Sequence, residues 1–228
     1  MNKMNVEGIT TILFDLDGVI IDSNPAIIDA WSRTAKEYGV DITQEQIDQF
    51  IIGASHKYTL EKIFPGFSEE DKKTIHSLVD RREEQADCHL IAGVSAFLSA
   101  LHCCPVNIGM VTSSWPEKIH HVLRQHRLDY FQCIISRHDV VKGKPDPQPY
   151  LLAMEKMQAT PASTLVFEDS DNGIRAALAA GTHCLAINND HYSNIHCISS
   201  FRQLSVARDE VIYRFARGGC GVKLRPTR

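Results

Sequence analysis

Five short apolar segments, four of them separated by helical patterns, predict the fold class of this chain. The segments are TILFD (11–15), VNIGMVT (106–112), CIIS (133–136), TLVFE (164–168) and HCLAI (183–187). Amphipathic helical patterns over 116–128, 146–157 and 172–180 separate the last four of them. Strands that alternate with helices form parallel sheets with helices on both faces. The sequence therefore predicts a doubly wound, mostly parallel α/β core.

Residues 24–90 interrupt this alternation. Their apolar residues recur at helical spacing, as Ile27, Trp31 and Ala35 do, and no strand pattern is present. A second helical pattern covers 68–85 and is rich in charges, which we expect to face solvent. The economical interpretation is a helical insertion at 24–90 in a core formed by 1–23 and 91–228.

Composition and charge exclude several classes of protein. The chain has 228 residues, 43% of them hydrophobic, and a formal net charge of −4, so nothing indicates binding to nucleic acid or to an anionic membrane. No segment has the length and apolarity of a signal peptide or a membrane span. The seven cysteines show no C-x-x-C spacing, which favours reduced thiols. We expect a cytoplasmic protein, monomeric or weakly dimeric, with neither nucleic-acid nor membrane partners.

Polar side chains follow four of the predicted strands. Asp15 and Asp17 follow the first, Thr112–Ser114 the second, Lys144 the third, and Glu168 with Asp169 ends the fourth. In open α/β sheets, ligands bind beyond the carboxyl ends of the strands. Four carboxylates at one edge would repel each other, and Mg²⁺, which prefers oxygen ligands, relieves that repulsion. The sequence therefore predicts a Mg²⁺ site at this edge.

The charges at this edge suggest a reaction. Asp15, Glu168 and Asp169 balance one Mg²⁺ and Lys144 if Asp17 carries a proton. One acid that attacks and one that donates a proton are what cleavage of an ester needs. The Thr112 hydroxyl and the Lys144 ammonium suit phosphoryl oxygens. Taken alone, the two aspartates could instead end a strand and cap a turn, and 112–114 could cap the helix that follows.

The segments DLDGVIIDS, VTSS, GKPDP and FEDSDNGIRAA, in this order over about residues 9–190, resemble the four motifs of the haloacid dehalogenase superfamily. The resemblance is to its branch of sugar phosphatases and β-phosphoglucomutases. It implies a Rossmann-like core with a four-helix-type cap at 24–90. It also implies that Asp15 is a nucleophile that forms an aspartyl-phosphate, Asp17 a general acid/base, and Thr112 and Lys144 phosphate ligands. Mg²⁺ would be held by Asp15, Glu168, Asp169 and the backbone carbonyl of Asp17.

The predicted cap departs from the pattern of the mutases. A β-phosphoglucomutase resemblance would require a histidine where this chain has Ile27, and an arginine after IIGAS where it has His56. We therefore expect a phosphatase acting on a small sugar or polyol phosphate rather than a β-phosphoglucomutase-like mutase. A non-catalytic phosphate-binding or regulatory protein is the alternative of another class. The candidate substrate-binding residues are Ser113, Ser114, Gly53, His56, Lys57 and Asn172.

Three points stay open in the sequence. His56 and Lys57 are also compatible with a solvated loop, and Asn172 with a helix cap. Arg81 and Arg82 are expected to be surface charges. The segment 214–228 carries five basic residues and no acid, and we expect a solvated terminus there.

Overall fold

A computed structural model describes residues 6–84, 86–207, 210–213 and 223–225. A six-stranded, all-parallel sheet forms the centre of the fold, with strand order β4-β3-β2-β5-β6-β7. These strands are β2 (Thr11–Phe14), β3 (Asn107–Val111), β4 (Cys133–Ile135), β5 (Thr164–Glu168), β6 (His183–Ile187) and β7 (His196–Ile198). The predicted α/β class is confirmed, and β7 is a strand that the sequence analysis missed.

Helices cover both faces of this sheet. They are α5 (Val94–His102), α6 (Pro116–His126), α7 (Gln148–Lys156) and α8 (Asp171–Ala179). Successive residues of a strand point to opposite faces, so Ile12 and Phe14 pack with α5 and α6, and Leu13 packs with α7 and α8. Helix α7 begins later than predicted, because Pro147 is its N-cap and Asp146 only accepts a 2.9 Å hydrogen bond from the backbone N–H of Gln148.

The segment between β2 and α5 is helical, as predicted. Its helices are α1 (Asn24–Glu37), α2 (Gln44–Phe50), α3 (His56–Ile63) and α4 (Glu69–Glu84). The sequence pattern had indicated only the first and the last of these. The four helices surround their own apolar cluster, in which Trp31, Phe64 and Ile75 are buried. This separate cluster supports the proposed division into a core and a cap at 24–90, and the segment is called the cap below.

A second, smaller sheet was not predicted. It contains β1 (Val6–Glu7), β8 (Leu204–Ala207), β9 (Glu210–Tyr213) and β10 (Lys223–Arg225), in the order β1-β10-β9-β8. Apart from β10, the basic segment 214–228 lies outside the described residues.

The structure bears on two expectations from composition, namely reduced cysteines and the lack of a membrane span. Among the described residues Cys88, Cys103, Cys133 and Cys184 are free thiols, and Cys220 lies outside the described part of the chain. None of the helices in the described part of the chain is long and apolar enough to cross a membrane.

Candidate active site

Three neighbouring strands deliver polar residues to one edge of the sheet. In the parallel register, Phe14 lies opposite Met110 on β3 and Phe167 on β5. The residues that follow therefore leave the sheet side by side, and the Asp15 backbone N–H still donates to the Phe167 carbonyl at 3.1 Å. The predicted meeting of polar residues at the carboxyl ends of the strands follows from this register.

Lys144 lies among the residues at the carboxyl ends of the strands. Its ammonium donates to Asp15 Oδ1 at 2.8 Å, to Glu168 Oε1 at 2.5 Å and to the Val111 carbonyl at 3.0 Å. The Lys144 side chain is only 1% exposed. Burial opposes its charge, but the two carboxylates outweigh burial and raise the pKa of Lys144. The ammonium therefore stays charged, as a ligand for phosphoryl oxygens must.

The acids of the edge outnumber this one cation. Burial, together with the neighbouring Glu168, raises the pKa of Asp15 to about 7 in spite of Lys144. Burial and the nearby Glu168 and Asp15 also raise the pKa of Asp169 well above its usual range. With all three acids ionised and Lys144 charged, the net charge of the cluster is −2. This is the deficit that a divalent cation neutralises.

Oxygen atoms suited to Mg²⁺ converge at this place. Asp15, Glu168 and Asp169 each offer a carboxylate oxygen, and the three atoms lie within 4.8 Å of one another. Asn24 donates to Asp169 Oδ2 at 2.5 Å, whereas Asp169 Oδ1 is buried and has no hydrogen-bond partner among the described residues. A buried carboxylate oxygen normally has a partner. The residues present thus fit a magnesium ion.

Two glycines allow this close packing of carboxylates. A Cβ on Gly173 would lie 1.9 Å from the Glu168 carboxylate, and one on Gly18 would lie 2.0 Å from Asp169 Oδ2. Gly18 also has a φ of +73°, which residues with a side chain rarely adopt. Tyr150, which the sequence analysis did not consider, adds a hydroxyl that donates to Glu168 Oε1 at 2.6 Å.

Asp17 is surrounded by hydrogen-bond donors. Ser23 Oγ donates to its Oδ1 and Ser114 Oγ to its Oδ2, both at 2.5 Å, and Lys118 Nζ lies 2.8 Å from Oδ1. Burial opposes ionisation, but Lys118 and the hydroxyls outweigh it and lower the pKa of Asp17. The expectation that Asp17 carries the proton of the cluster is therefore wrong for this arrangement, because it left out Lys118.

Lys118 is the main site residue that sequence reasoning missed. It lies on α6, and no motif or spacing in the sequence singles it out. In the structure its side chain is 7% exposed, and a second carboxylate, Glu83 Oε2 on cap helix α4, lies 2.9 Å from its ammonium. The expectation that the charges of α4 all face solvent is thus wrong for Glu83. Arg82 also stays within the cap, donating to Thr34 and to Glu37.

The predicted phosphate and loop residues lie between core and cap. Thr112 is buried, and its Oγ1 accepts a 3.0 Å hydrogen bond from the Ser114 backbone N–H. Ser113 Oγ donates to the Gly53 carbonyl at 3.3 Å, which joins the two predicted substrate residues directly. Gly53 passes so close to the core that a Cβ there would lie 1.8 Å from Ser170 Oγ.

A cavity of about 200 Å³ opens beside Thr112 and Lys144. His56, Lys57, Arg137 and His138 also line it, and the described residues around it include no carboxylate. Lys57 is exposed, as a residue that meets substrate would be, whereas His56 is buried. His56 Nδ1 accepts a 2.9 Å hydrogen bond from Arg137, so its ring is held in place by the core.

Asn172 has a different setting from the one predicted. It is buried at the start of α8, and its amide donates to the carbonyls of Gln49 and Ile52 in the cap, each at 3.0 Å. The N-cap residue of helix α8 is Ser170, whose Oγ accepts a hydrogen bond from the Gly173 backbone N–H. Asn172 therefore joins the cap to the core, and its amide N–H groups are not directed at the cavity.

Proteins of known activity or structure resemble this chain in sequence and in fold. A phosphorylated carbohydrates phosphatase of Thermotoga maritima is 30% identical over 179 residues, which are 75% of this chain and 81% of the relative. Hexitol phosphatase A of Escherichia coli is 32% identical over 180 residues, 77% of this chain and 82% of the relative. The solved β-phosphoglucomutase of Clostridium difficile has the same fold, with a TM-score of 0.77 at 23% identity, over 86% of this chain and 93% of that one.

The family itself follows from a match over most of the chain. The sequence profile of the haloacid dehalogenase-like hydrolases matches residues 12–187, a range that begins in β2 and ends with β6. It includes all four polar segments at the edge of the sheet and the whole of the cap. The chain belongs to the haloacid dehalogenase-like hydrolase family.

Proposed function

We propose that the protein is a Mg²⁺-dependent phosphatase that hydrolyses a small sugar or polyol phosphate through an aspartyl-phosphate at Asp15. The single observation that carries the proposal is the buried cluster of Asp15, Glu168, Asp169 and Lys144. Its net charge of −2 and its partnerless Asp169 oxygen suit a divalent cation, and the cavity beside Lys144 suits a phosphate ester. The two relatives by sequence described above are phosphatases, and the predicted class, a phosphoric monoester hydrolase, is confirmed.

Asp15, Glu168, Asp169 and the backbone carbonyl of Asp17 would hold the magnesium ion. When bound, Mg²⁺ supplies positive charge that stabilises the charge developing on phosphoryl oxygens. Lys144 is placed to bind the same oxygens from the other side, and Thr112 offers a hydroxyl at the cavity wall.

The chain's own residues then account for both halves of the reaction. The Asp15 carboxylate attacks phosphorus, so that an Asp15–phosphorus bond forms as the bond to the ester oxygen breaks. Asp17, which is ionised before the ester binds, takes up a proton from solvent as the ester binds and gives it to that oxygen as the alcohol leaves. In the second half Asp17 takes the proton from a water molecule, which attacks phosphorus and releases phosphate and free Asp15. The cap excludes other water from the site while the aspartyl-phosphate exists.

The cap residues favour water over a second sugar phosphate as the final acceptor. Ile27 is buried in the apolar cluster of the cap and offers no proton where a mutase resemblance would require a histidine. His56 is held by Arg137, which itself forms a two-point ion pair with Asp80 at 3.2 and 2.9 Å. The names of the two relatives, which act on phosphorylated carbohydrates and hexitol phosphate, support a sugar or polyol ester.

The test is release of inorganic phosphate from a panel of hexose, pentose, polyol and glycolate phosphates with Mg²⁺. We expect turnover that a chelator abolishes and that Asp15→Asn loses. If no ester is hydrolysed but hexose 1-phosphates are converted to 6-phosphates with a bisphosphate primer, the mutase is correct instead. Absence of both reactions would support a non-catalytic phosphate-binding protein. The cytoplasmic location and the monomer or weak homodimer stay predictions.

A further inference from the structure

Three neighbouring acids of cap helix α4 share one face and contact the core. The contacts are Asp80 with Arg137 at 2.9 Å, Glu83 with Lys118 at 2.9 Å, and Glu84 with the Trp115 indole N–H at 3.1 Å. Residues three and four apart lie on the same side of a helix, so these contacts form one seam. The sequence had placed these acids in solvent, and the structure places them against the core.

Glu83 is the member of this seam that leads to the active site. Its side chain is 3% exposed, and Oε2 lies 2.9 Å from Lys118 Nζ. Its other oxygen, Oε1, makes no hydrogen bond but lies 3.7 Å from His56 Nε2. His56 Nδ1 lies 2.9 Å from Arg137 Nη1 and 3.2 Å from Asp80 Oδ1, so the other ring nitrogen, Nε2, is the one that faces Glu83. The Glu83 carboxylate thus lies between the Lys118 ammonium on one side and the His56 ring on the other.

Lys118 connects Glu83 to Asp17. Its ammonium lies 2.8 Å from Asp17 Oδ1 and 2.9 Å from Glu83 Oε2, so the two carboxylates together determine its position. With Ser23, it gives Asp17 Oδ1 two donors. Within the described part of the chain, Asp17 Oδ2 receives one hydrogen bond, from the Ser114 hydroxyl. A carboxylate oxygen accepts about two hydrogen bonds, so Oδ1 is filled and Oδ2 keeps one free lone pair.

We propose that Glu83 is a positioning residue that acts on Asp17 through Lys118: by holding the ammonium at Oδ1 it leaves Oδ2 as the oxygen that exchanges a proton with the ester oxygen. The inference rests on the proposed function. Without Glu83 the Lys118 ammonium pairs with Asp17 alone and can move between the two carboxylate oxygens of Asp17. At Oδ2 it would compete for the lone pair that the transferred proton needs. Glu83 belongs to the cap, so Asp17 takes its working arrangement only when the cap is in place.

The experiment compares two leaving groups. A p-nitrophenolate leaves without a proton, whereas the alcohol of a polyol phosphate needs one. In Glu83→Gln we expect kcat on the polyol phosphate to fall by about tenfold, part of the 10²–10⁴ that a general acid contributes, while kcat on p-nitrophenyl phosphate stays within about twofold. A role limited to packing would lower both to the same extent.

Glu84→Gln is the matched control. It neutralises a carboxylate on the same face of α4 that accepts from the Trp115 indole, and within the described residues Glu84 itself contacts neither Lys118 nor Asp17, so both esters should stay within about twofold of the wild-type rate. If Glu83→Gln shows no thermal unfolding transition, Glu83→Asp replaces it, since its carboxylate is one methylene short of Lys118. Parallel losses on both esters, or an equal selective loss in Glu84→Gln, would overturn the inference alone. Absence of Mg²⁺-dependent hydrolysis in the wild-type protein would overturn the proposed function with it.

Discussion

Magnesium should raise the free energy of unfolding, because a divalent cation relieves the repulsion between the buried carboxylates of the site. The cluster of Asp15, Glu168, Asp169 and Lys144 has a net charge of −2 when its acids are ionised. The pKa of Asp15 rises from 3.8 to about 7 in the metal-free fold. This difference of about three pKa units corresponds to about 4 kcal/mol of unfavourable interaction when Asp15 is ionised. A bound divalent cation removes most of that penalty.

The sign of the pH dependence follows from where the proton is held. Between about pH 4 and pH 7 the folded protein keeps a proton on Asp15 that the unfolded chain has released. The metal-free protein therefore loses stability as pH rises through this range. Magnesium competes with that proton at about pH 5 and meets an ionised carboxylate at about pH 8, so the stabilisation by Mg²⁺ should increase with pH.

The assay is thermal unfolding with and without Mg²⁺ at several pH values. At a Mg²⁺ concentration about 100 times Kd, binding contributes about 2.7 kcal/mol, which for a chain of this length is a rise in Tm of about 5–11 °C. Asp169→Asn should lose most of this rise. Asp171→Asn should keep it, because Asp171 contacts Asn189 and lies outside the ligand set. An undiminished rise in Asp169→Asn, or a larger effect at pH 5 than at pH 8, would refute the reasoning.

Three further substitutions test the packing of the site. Gly173→Ala places a methyl group 1.9 Å from the Glu168 carboxylate, so urea unfolding should show a loss of about 1–3 kcal/mol and phosphate release should fall severalfold. Tyr150→Phe removes a buried donor to Glu168 and should cost about 1–3 kcal/mol in the same unfolding assay; an unchanged midpoint would show that this hydrogen bond is not needed. Asn172→Ala leaves two cap carbonyls without their donor and should make the cap more accessible to protease than the core, and equal cleavage of both would contradict this role.

The fold class could be predicted because it depends on local patterns. Strands 11–14 and 164–168 are mostly apolar and buried along their whole length, and an acid follows the first and ends the second. Parallel strands bring their carboxyl ends together whatever the helices between them contain. The meeting of Asp15, Lys144 and Glu168 at one edge follows from this regularity, whereas the family was predicted from the four motifs that contain these residues. The short helices α2 and α3 were missed, since seven or eight residues give too few turns for a periodic pattern.

The network around Asp17 could not be predicted for a different reason. Lys118 and Glu83 are 35 residues apart, and each lies in a helix whose charges are mostly exposed. A charged residue that is buried by its partner has the same local sequence pattern as one in solvent. The protonation of Asp17 was therefore assigned from an incomplete set of charges. The same limit applies to Asn172, whose acceptors are carbonyl groups at the end of α2 and just after it, more than 100 residues away in the chain.

The central claim is that Asp15 becomes phosphorylated during turnover. The most direct measurement is rapid acid quench of the enzyme with Mg²⁺ and its best phosphate ester, followed by mass spectrometry of the peptide that contains residues 11–22. The account predicts a phosphoryl group on Asp15 that disappears with chelator and is absent in Asp15→Asn. Phosphate release without that modified peptide, or a phosphoryl group on another residue, would contradict it.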